Sequence, residues 1–163
     1  MPAVLRDASF VIGNLNPDDR AEVMCQVSPA TKTHELAYAM LMSSDSYVAK
    51  WKGRPAMFFG VNPLNICALS IWALGTRQSW RTIPELTAFV AHTVLPRKID
   101  EGFTTMEARS IMGHTVAHGW MEATGAVRSG DPFVYGRGGE LFQLFRWTVT
   151  EYHSRTAQIR KPT

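Results

Sequence analysis

The stretch Ile66-Cys67-Ala68-Leu69-Ser70-Ile71-Trp72-Ala73-Leu74, closed by Gly75-Thr76, decides the fold. It is apolar almost throughout and shows no polar alternation. A strand wetted on one face alternates, whereas a strand covered on both faces reads as a short continuous apolar run. The run therefore predicts a central strand with structure packed on both faces. Just before it, Asn62-Pro63 ends an apolar arm from Pro55 to Val61, and Lys52-Gly53 separates that arm from Tyr47 to Trp51. Glycine supplies the positive φ of a tight turn, so the two arms predict a hairpin beside the central strand.

Toward the N-terminus, Phe10 to Gly13 reads as a short first strand. Asn16-Pro17-Asp18-Asp19 is a helix start: Asn16 can cap, Pro17 suits the first turn, and the acids favour the positive helix end. That helix is expected to run to about Val27, where Ser28-Pro29 stops it. A second helix is expected from about Lys32 to Met42. Beyond the central strand, Thr82 and Glu85 have capping-box spacing. Leu86, Phe89, Val90, Val94, Leu95 and Ile99 follow at helical intervals, with Pro96 expected to kink the helix. Phe103 to Ala108 predicts a strand, and Thr115 to Thr124 a helix ended by Gly125. The last two strands are expected at Ala126 to Arg128, continuing at Phe133 to Tyr135, and at Leu141 to Val149. The order is β-α-α-β-β-β-α-β-α-β-β, an α/β (mixed α+β) arrangement.

The chain has 163 residues, 45% apolar and 19% charged, enough for one domain with a sizeable core. That domain is expected over residues 1–149. Its first 145 residues carry equal numbers of acidic and basic side chains, so the net charge of +3 comes from the end of the chain. Residues 150–163 read as a basic, mobile tail. Nucleic acid is not expected as a partner except through that tail, where binding would be salt-sensitive. Cys25 and Cys67 are too few for a disulfide framework and read as buried thiols in a reducing compartment. Met1 to Phe10 has no leader pattern, and no apolar run is long enough to span a bilayer, so no membrane anchor is expected. His114 and His118 are four apart, but no third ligand accompanies them, so no metal is expected. Met24, Met40, Met42 and Met57 read as core filler, and Trp80, on a loop, as an anchor for a protein contact.

The element order is similar to that of the GNAT acyltransferase fold. Trp120-Met-Glu-Ala-Thr-Gly-Ala-Val127 resembles the end of that family's fourth helix and its turn. Ile71-Trp-Ala-Leu-Gly-Thr76 and Phe142-Gln-Leu-Phe145 resemble the GNAT-like internal virion and assembly proteins of short-tailed podophages. The resemblance covers about residues 9 to 149. It implies a GNAT-like fold with a mixed central sheet of about six to seven strands flanked by four helices. It also implies a non-catalytic role in protein-protein contacts, with other virion or assembly proteins or further copies of the chain as partners. No cofactor is then needed, and the place of work is the host cytoplasm and the virion interior.

The alternative is an acyl-CoA-dependent N-acetyltransferase. The family's glycine-rich loop presents helix-start amides to the CoA pyrophosphate. Here that loop is Gly75 to Thr82, and an acetyl-CoA site would use Leu74, Gly75, Thr76, Arg77, Gln78 and Arg81. Two departures stand out. No second glycine follows Gly75 until Gly102, and Trp80 sits where close backbone approach is wanted. The tyrosine that protonates the leaving thiolate in the family lies four residues before the helix-ending glycine, and here that residue is Met121, which has no proton to give. Glu107 is the candidate base.

Overall fold

A computed structural model describes residues 1–157. Six strands form one sheet in the order β1-β2-β3-β4-β6-β5 among the described residues. They are β1 (Asp45–Trp51), β2 (Arg54–Pro63), β3 (Ala68–Gly75), β4 (Thr105–Ile111), β5 (Val127–Val134) and β6 (Leu141–Thr148). Every neighbouring pair is antiparallel except β3 and β4, which run parallel. The hairpin turns where expected, with Lys52 at φ 47° and Gly53 at φ 77°. That pair of left-handed residues matches the twist of the flanking strands.

Helices α1 (Leu5–Gly13), α2 (Pro17–Met24) and α3 (Thr33–Ser43) lie on one face of the sheet. The core there joins Ala8, Val11, Ile12 and Leu15 to Val48, Phe58 and Leu74. The expected first strand at Phe10 to Gly13 is thus the end of a helix. Ala8, Val11, Ile12 and Leu15 repeat every three or four residues, the spacing of one helix face, and this overrides the short apolar run. The sheet accordingly has six strands in the described residues, not seven. Asn16 caps α2 as predicted, its Oδ1 accepting the Asp19 N–H at 2.9 Å.

The other face carries α4 (Ile83–Phe89), α5 (Leu95–Asp100), α6 (Thr115–Ala123) and α7 (Val149–Thr156). A 3-10 turn, Ser79–Thr82, leads straight into α4. Thr82 is therefore already helical and does not cap. Its hydroxyl donates instead to the Ser79 carbonyl at 2.8 Å. Between α4 and α5 the chain widens into a π turn at Val90–Val94. Pro96 lacks an N–H and its ring crowds the preceding turn, and the wider turn absorbs that mismatch without breaking the helix.

Three other expectations change. Ile66 is 94% exposed and Cys67 is exposed, because β3 begins only at Ala68. The Asn65 side chain holds the preceding loop by accepting the N–H groups of Cys67 and Ala68. Cys25 is only half-buried. Of the four methionines, Met57 is buried, whereas Met24 and Met42 are exposed.

The predicted tail is also different. Residues 150–156 belong to α7, capped by the Thr148 hydroxyl, which accepts the Glu151 N–H at 3.1 Å. Val149, Tyr152 and Thr156 fall on one helix face and are buried, while Arg155 pairs with Glu151. Three apolar-facing residues in a polar stretch are too few to read as amphipathic until the surface that covers them is known. Residues 158–163, the rest of the predicted tail, lie outside the described residues. No described helix is long and apolar enough to cross a membrane.

Candidate functional site

The parallel pair β3–β4 is hydrogen-bonded only where Ala68, Leu69 and Ser70 face Thr105, Met106 and Glu107. Beyond that point β3 stays with β2 as far as Gly75, and β4 stays with β6 as far as Ile111. The two C-terminal halves therefore separate. A cleft of about 360 Å³ opens between the layers. Val23, Leu36 and Met40 wall it on one side of the sheet, and Leu86, Val90, Trp120 and Met121 on the other. A space of this shape and chemistry takes a slender, mostly apolar chain.

Two polar groups of side chains face the cleft. In the first, the Glu107 carboxylate accepts from Arg146 Nε at 3.2 Å and lies 4.0 Å from an Arg109 guanidinium nitrogen. Arg109 also donates to the Tyr135 hydroxyl at 3.0 Å. Glu107, the candidate base, thus faces guanidinium groups with both oxygens. Tyr135 arrives from the end of β5, far in sequence from the helix where the family's tyrosine would lie. Met121 lines the cleft at that helix position.

The second group ties α2 to the separated strand ends. Glu22 Oε2 accepts from Ser110 Oγ at 2.9 Å and from the Ile111 N–H at 3.2 Å, and lies 3.1 Å from His114 Nδ1. Asp19 Oδ2 accepts the Gly75 N–H at 2.6 Å and the Asn16 side-chain amide at 2.7 Å. His114 Nε2 stands 3.4 Å from Asp19 Oδ1. Burial alone would push the His114 imidazole down, but the Glu22 hydrogen bond and the charges of Asp19, Glu22 and Asp18 outweigh it and hold it above its ordinary value. Burial pushes the Asp19 carboxyl up, and the Gly75 N–H and His114 only partly offset this. His118 turns away from this group and packs on the Phe145 ring, 4.9 Å between centroids, so the two histidines do not face one site.

The sequence singled out neither Asp19 nor Glu22 as site residues. Both looked like first-turn and solvent-facing helix acids, and only their approach to strands about 60 and 90 residues away gives them a role. Ser110 and Tyr135 likewise carry no local signal.

The loop after β3 was the expected pyrophosphate grip. Leu74 is buried in the core beneath α1 to α3. The Thr76 N–H donates to Ala56 O, Gln78 N–H to Thr76 Oγ1, Ser79 N–H to Thr76 O and Arg81 N–H to Gln78 O. Four amides of the loop are therefore spent on protein acceptors, and the Asp19 carboxylate holds Gly75 where the loop begins. An anion site needs N–H groups turned outward and no carboxylate beside them. With these four amides committed, the segment has fewer N–H groups to offer a pyrophosphate. Arg77 is exposed, and the Arg81 guanidinium is stacked 4.2 Å from the Trp80 ring centre and 5.2 Å from that of Trp51.

Ser79 closes tightly over Gly75: a Cβ on Gly75 would collide with the Ser79 Cβ and Oγ. Gly75→Ala should therefore lower unfolding stability by about 1–3 kcal/mol, as overpacking in a tight site does. Gly119, inside α6, has open space beside it, and Gly119→Ala should raise stability by about 0.5–1 kcal/mol. Paired urea titrations read both, and a Gly75→Ala variant as stable as the parent would contradict the packing described here.

No protein-family model matches the sequence, and no curated protein matches it. Solved structures do match the fold. One is a protein assigned as an acetyltransferase, with TM-score 0.72 and 13% identity, over 97% of this chain and 86% of that one. Another is yncA of Salmonella typhimurium, solved with its cofactor acetyl-CoA, with TM-score 0.67 and 10% identity over 91% and 92%. A third is an acetyltransferase of the GNAT family from Streptococcus pneumoniae, with TM-score 0.62 and 10% identity over 91% and 96%. Together with the six-stranded mixed sheet and the parted β3–β4 pair, these likenesses establish that the chain has the GNAT acetyltransferase fold.

Proposed function

We propose that this protein uses a GNAT fold for protein-protein contacts, as an internal virion or assembly protein of a short-tailed phage, and not for acyl transfer from CoA. The observation that carries this reading is the loop after β3. Its amides at Thr76, Gln78, Ser79 and Arg81 are bound to protein acceptors, and Asp19 adds a carboxylate at its start. Met121 at the helix position of the family's proton donor points the same way. The virion assignment rests on the resemblance of Ile71 to Thr76 and Phe142 to Phe145. On this reading the protein works in the host cytoplasm and the virion interior, alongside other virion proteins or in a homo-oligomer.

The cleft favours a second reading, an N-acetyltransferase with a divergent pyrophosphate loop. A space of about 360 Å³ between the parted strands, holding Glu107 and Tyr135, could seat an acyl-pantetheine arm. Thermal unfolding with and without millimolar acetyl-CoA separates the two. The expected result is no shift. A ligand at about 100 times its dissociation constant would add roughly 2.7 kcal/mol, several degrees in Tm. A shift of that size, lost in Arg81→Ala, would establish CoA binding and overturn the assembly reading.

A further inference from the structure

Among the described residues, eight of the fifteen Lys and Arg side chains stand in ion pairs. Lys50 lies 2.7 Å from Asp7, Lys98 2.7 Å from Glu101, Arg128 2.7 Å from Glu122 and Arg155 3.0 Å from Glu151. Of the other seven, Arg20, Lys32 and Arg137 belong to other parts of the chain, and four gather at one corner of the sheet. Lys52, Arg54, Arg77 and Arg81 are all exposed, and none of them enters an ion pair among the described residues. The fold brings them together. Arg54 faces Trp51 across the β1–β2 turn that Lys52 occupies. The Thr76 N–H is bonded to Ala56 O, so Arg77 leaves the sheet beside that turn. Arg81 lies against both Trp51 and Trp80, which joins the loop to the hairpin. Trp80 is 59% exposed, although an indole gains much by burial.

From these contacts we infer that the hairpin tip and the loop after β3 form a docking surface for an acidic segment of a partner protein. The inference deepens the assembly reading and rests on it. Four unneutralised cations call for carboxylates. Stacking pre-orders the Arg81 fork, which lowers the entropy lost on pairing. An exposed tryptophan beside an arginine is the composition of a protein-protein hot spot. Nucleic acid fits less well, because the surface is one compact corner of a body whose first 145 residues have balanced charge. Such a body lacks the long-range positive field that draws a polyanion along a stripe of phosphates.

The test uses the full chain and a short fluorescein-labelled peptide alternating glutamate with leucine, read by anisotropy at low and raised salt. A neutral glutamine–leucine peptide and a single-stranded oligonucleotide of equal charge serve as the other arms. The expected result is salt-sensitive binding of the acidic peptide, with the neutral peptide and the oligonucleotide each at least tenfold weaker. Arg77→Glu combined with Arg81→Glu should weaken the acidic peptide at least tenfold, and Trp80→Ala severalfold, with thermal midpoints unchanged. Equal binding by the charge-reversed variant, equal binding of the neutral peptide, or an oligonucleotide bound as tightly as the peptide would each overturn the inference. If the acidic peptide fails to bind while acetyl-CoA leaves unfolding unchanged, only the docking surface falls. If acetyl-CoA stabilises the protein, the assembly reading falls with it.

Discussion

Tyr152→Ala should lower the free energy of unfolding by about 3–5 kcal/mol, the usual cost of truncating a fully buried aromatic side chain. Tyr152 has no solvent exposure and sits in the larger core, 6.4 Å from the Trp147 ring centre. Its helix is held from either side: the Thr148 hydroxyl caps it, and His153 Nδ1 donates to the Ala91 carbonyl at 3.0 Å. Removing the ring leaves a cavity between α7, the sheet and the π turn. Tyr152→Phe keeps the ring and should stay within about 1.5 kcal/mol of the parent. Urea unfolding followed by tryptophan fluorescence reads both variants. A Tyr152→Ala protein as stable as the parent would mean that residues 149–156 are not docked, and would restore the reading of that segment as a free tail.

Glu22→Ala should cost about 2–3 kcal/mol at pH 6, and less at pH 9. The substitution strips the acceptor from Ser110, the Ile111 N–H and His114 at once, and a buried donor left alone costs roughly 1–3 kcal/mol. It also leaves a partly buried imidazolium with one carboxylate fewer. The pH dependence follows from linkage. His114 holds its proton more tightly folded than unfolded, so its stabilisation is complete below its ordinary value of about 6.5 and fades as pH rises through the higher folded value. Asp19 contributes over a lower range: its folded carboxyl is raised, so its cost to stability sets in as pH rises from its ordinary value of about 3.8, and the change from pH 6 to pH 9 is carried by His114. The parent should therefore lose stability from pH 6 to pH 9, and Glu22→Ala should lose less over the same range. Parallel slopes for the two proteins would show that His114 does not depend on Glu22.

The two variants bear on different links between sequence and structure. Tyr152 tests whether a polar, basic stretch of sequence was wrongly read as unstructured. Glu22 tests whether two acids that look like ordinary helix-surface residues fasten the parted strands. Tyr152 lies away from the loop after β3, whereas the Glu22 group reaches the start of that loop through His114 and Asp19, which holds the Gly75 N–H.

The central strand, the hairpin, the Asn16 cap and the alternation of helices with strands were all legible in the linear order of residues. Those features depend on neighbours a few residues apart, through apolar spacing, positive-φ turns and proline stops, and such signals survive in the linear order. The sequence also showed that the loop after the central strand lacks a second glycine and carries Trp80. The tertiary structure alone decided that Phe10 to Gly13 ends a helix, because the surface that covers Ala8, Val11 and Ile12 comes from β1, β2 and β3. It alone turned part of the basic tail into α7, where a single buried face of Val149, Tyr152 and Thr156 outweighs a polar composition. It alone brought Asp19 and Glu22 to Gly75, Ser110 and His114, and Tyr135 to Arg109. Those pairings span tens of residues, and no local propensity encodes a hydrogen bond whose partners meet only after the sheet has closed.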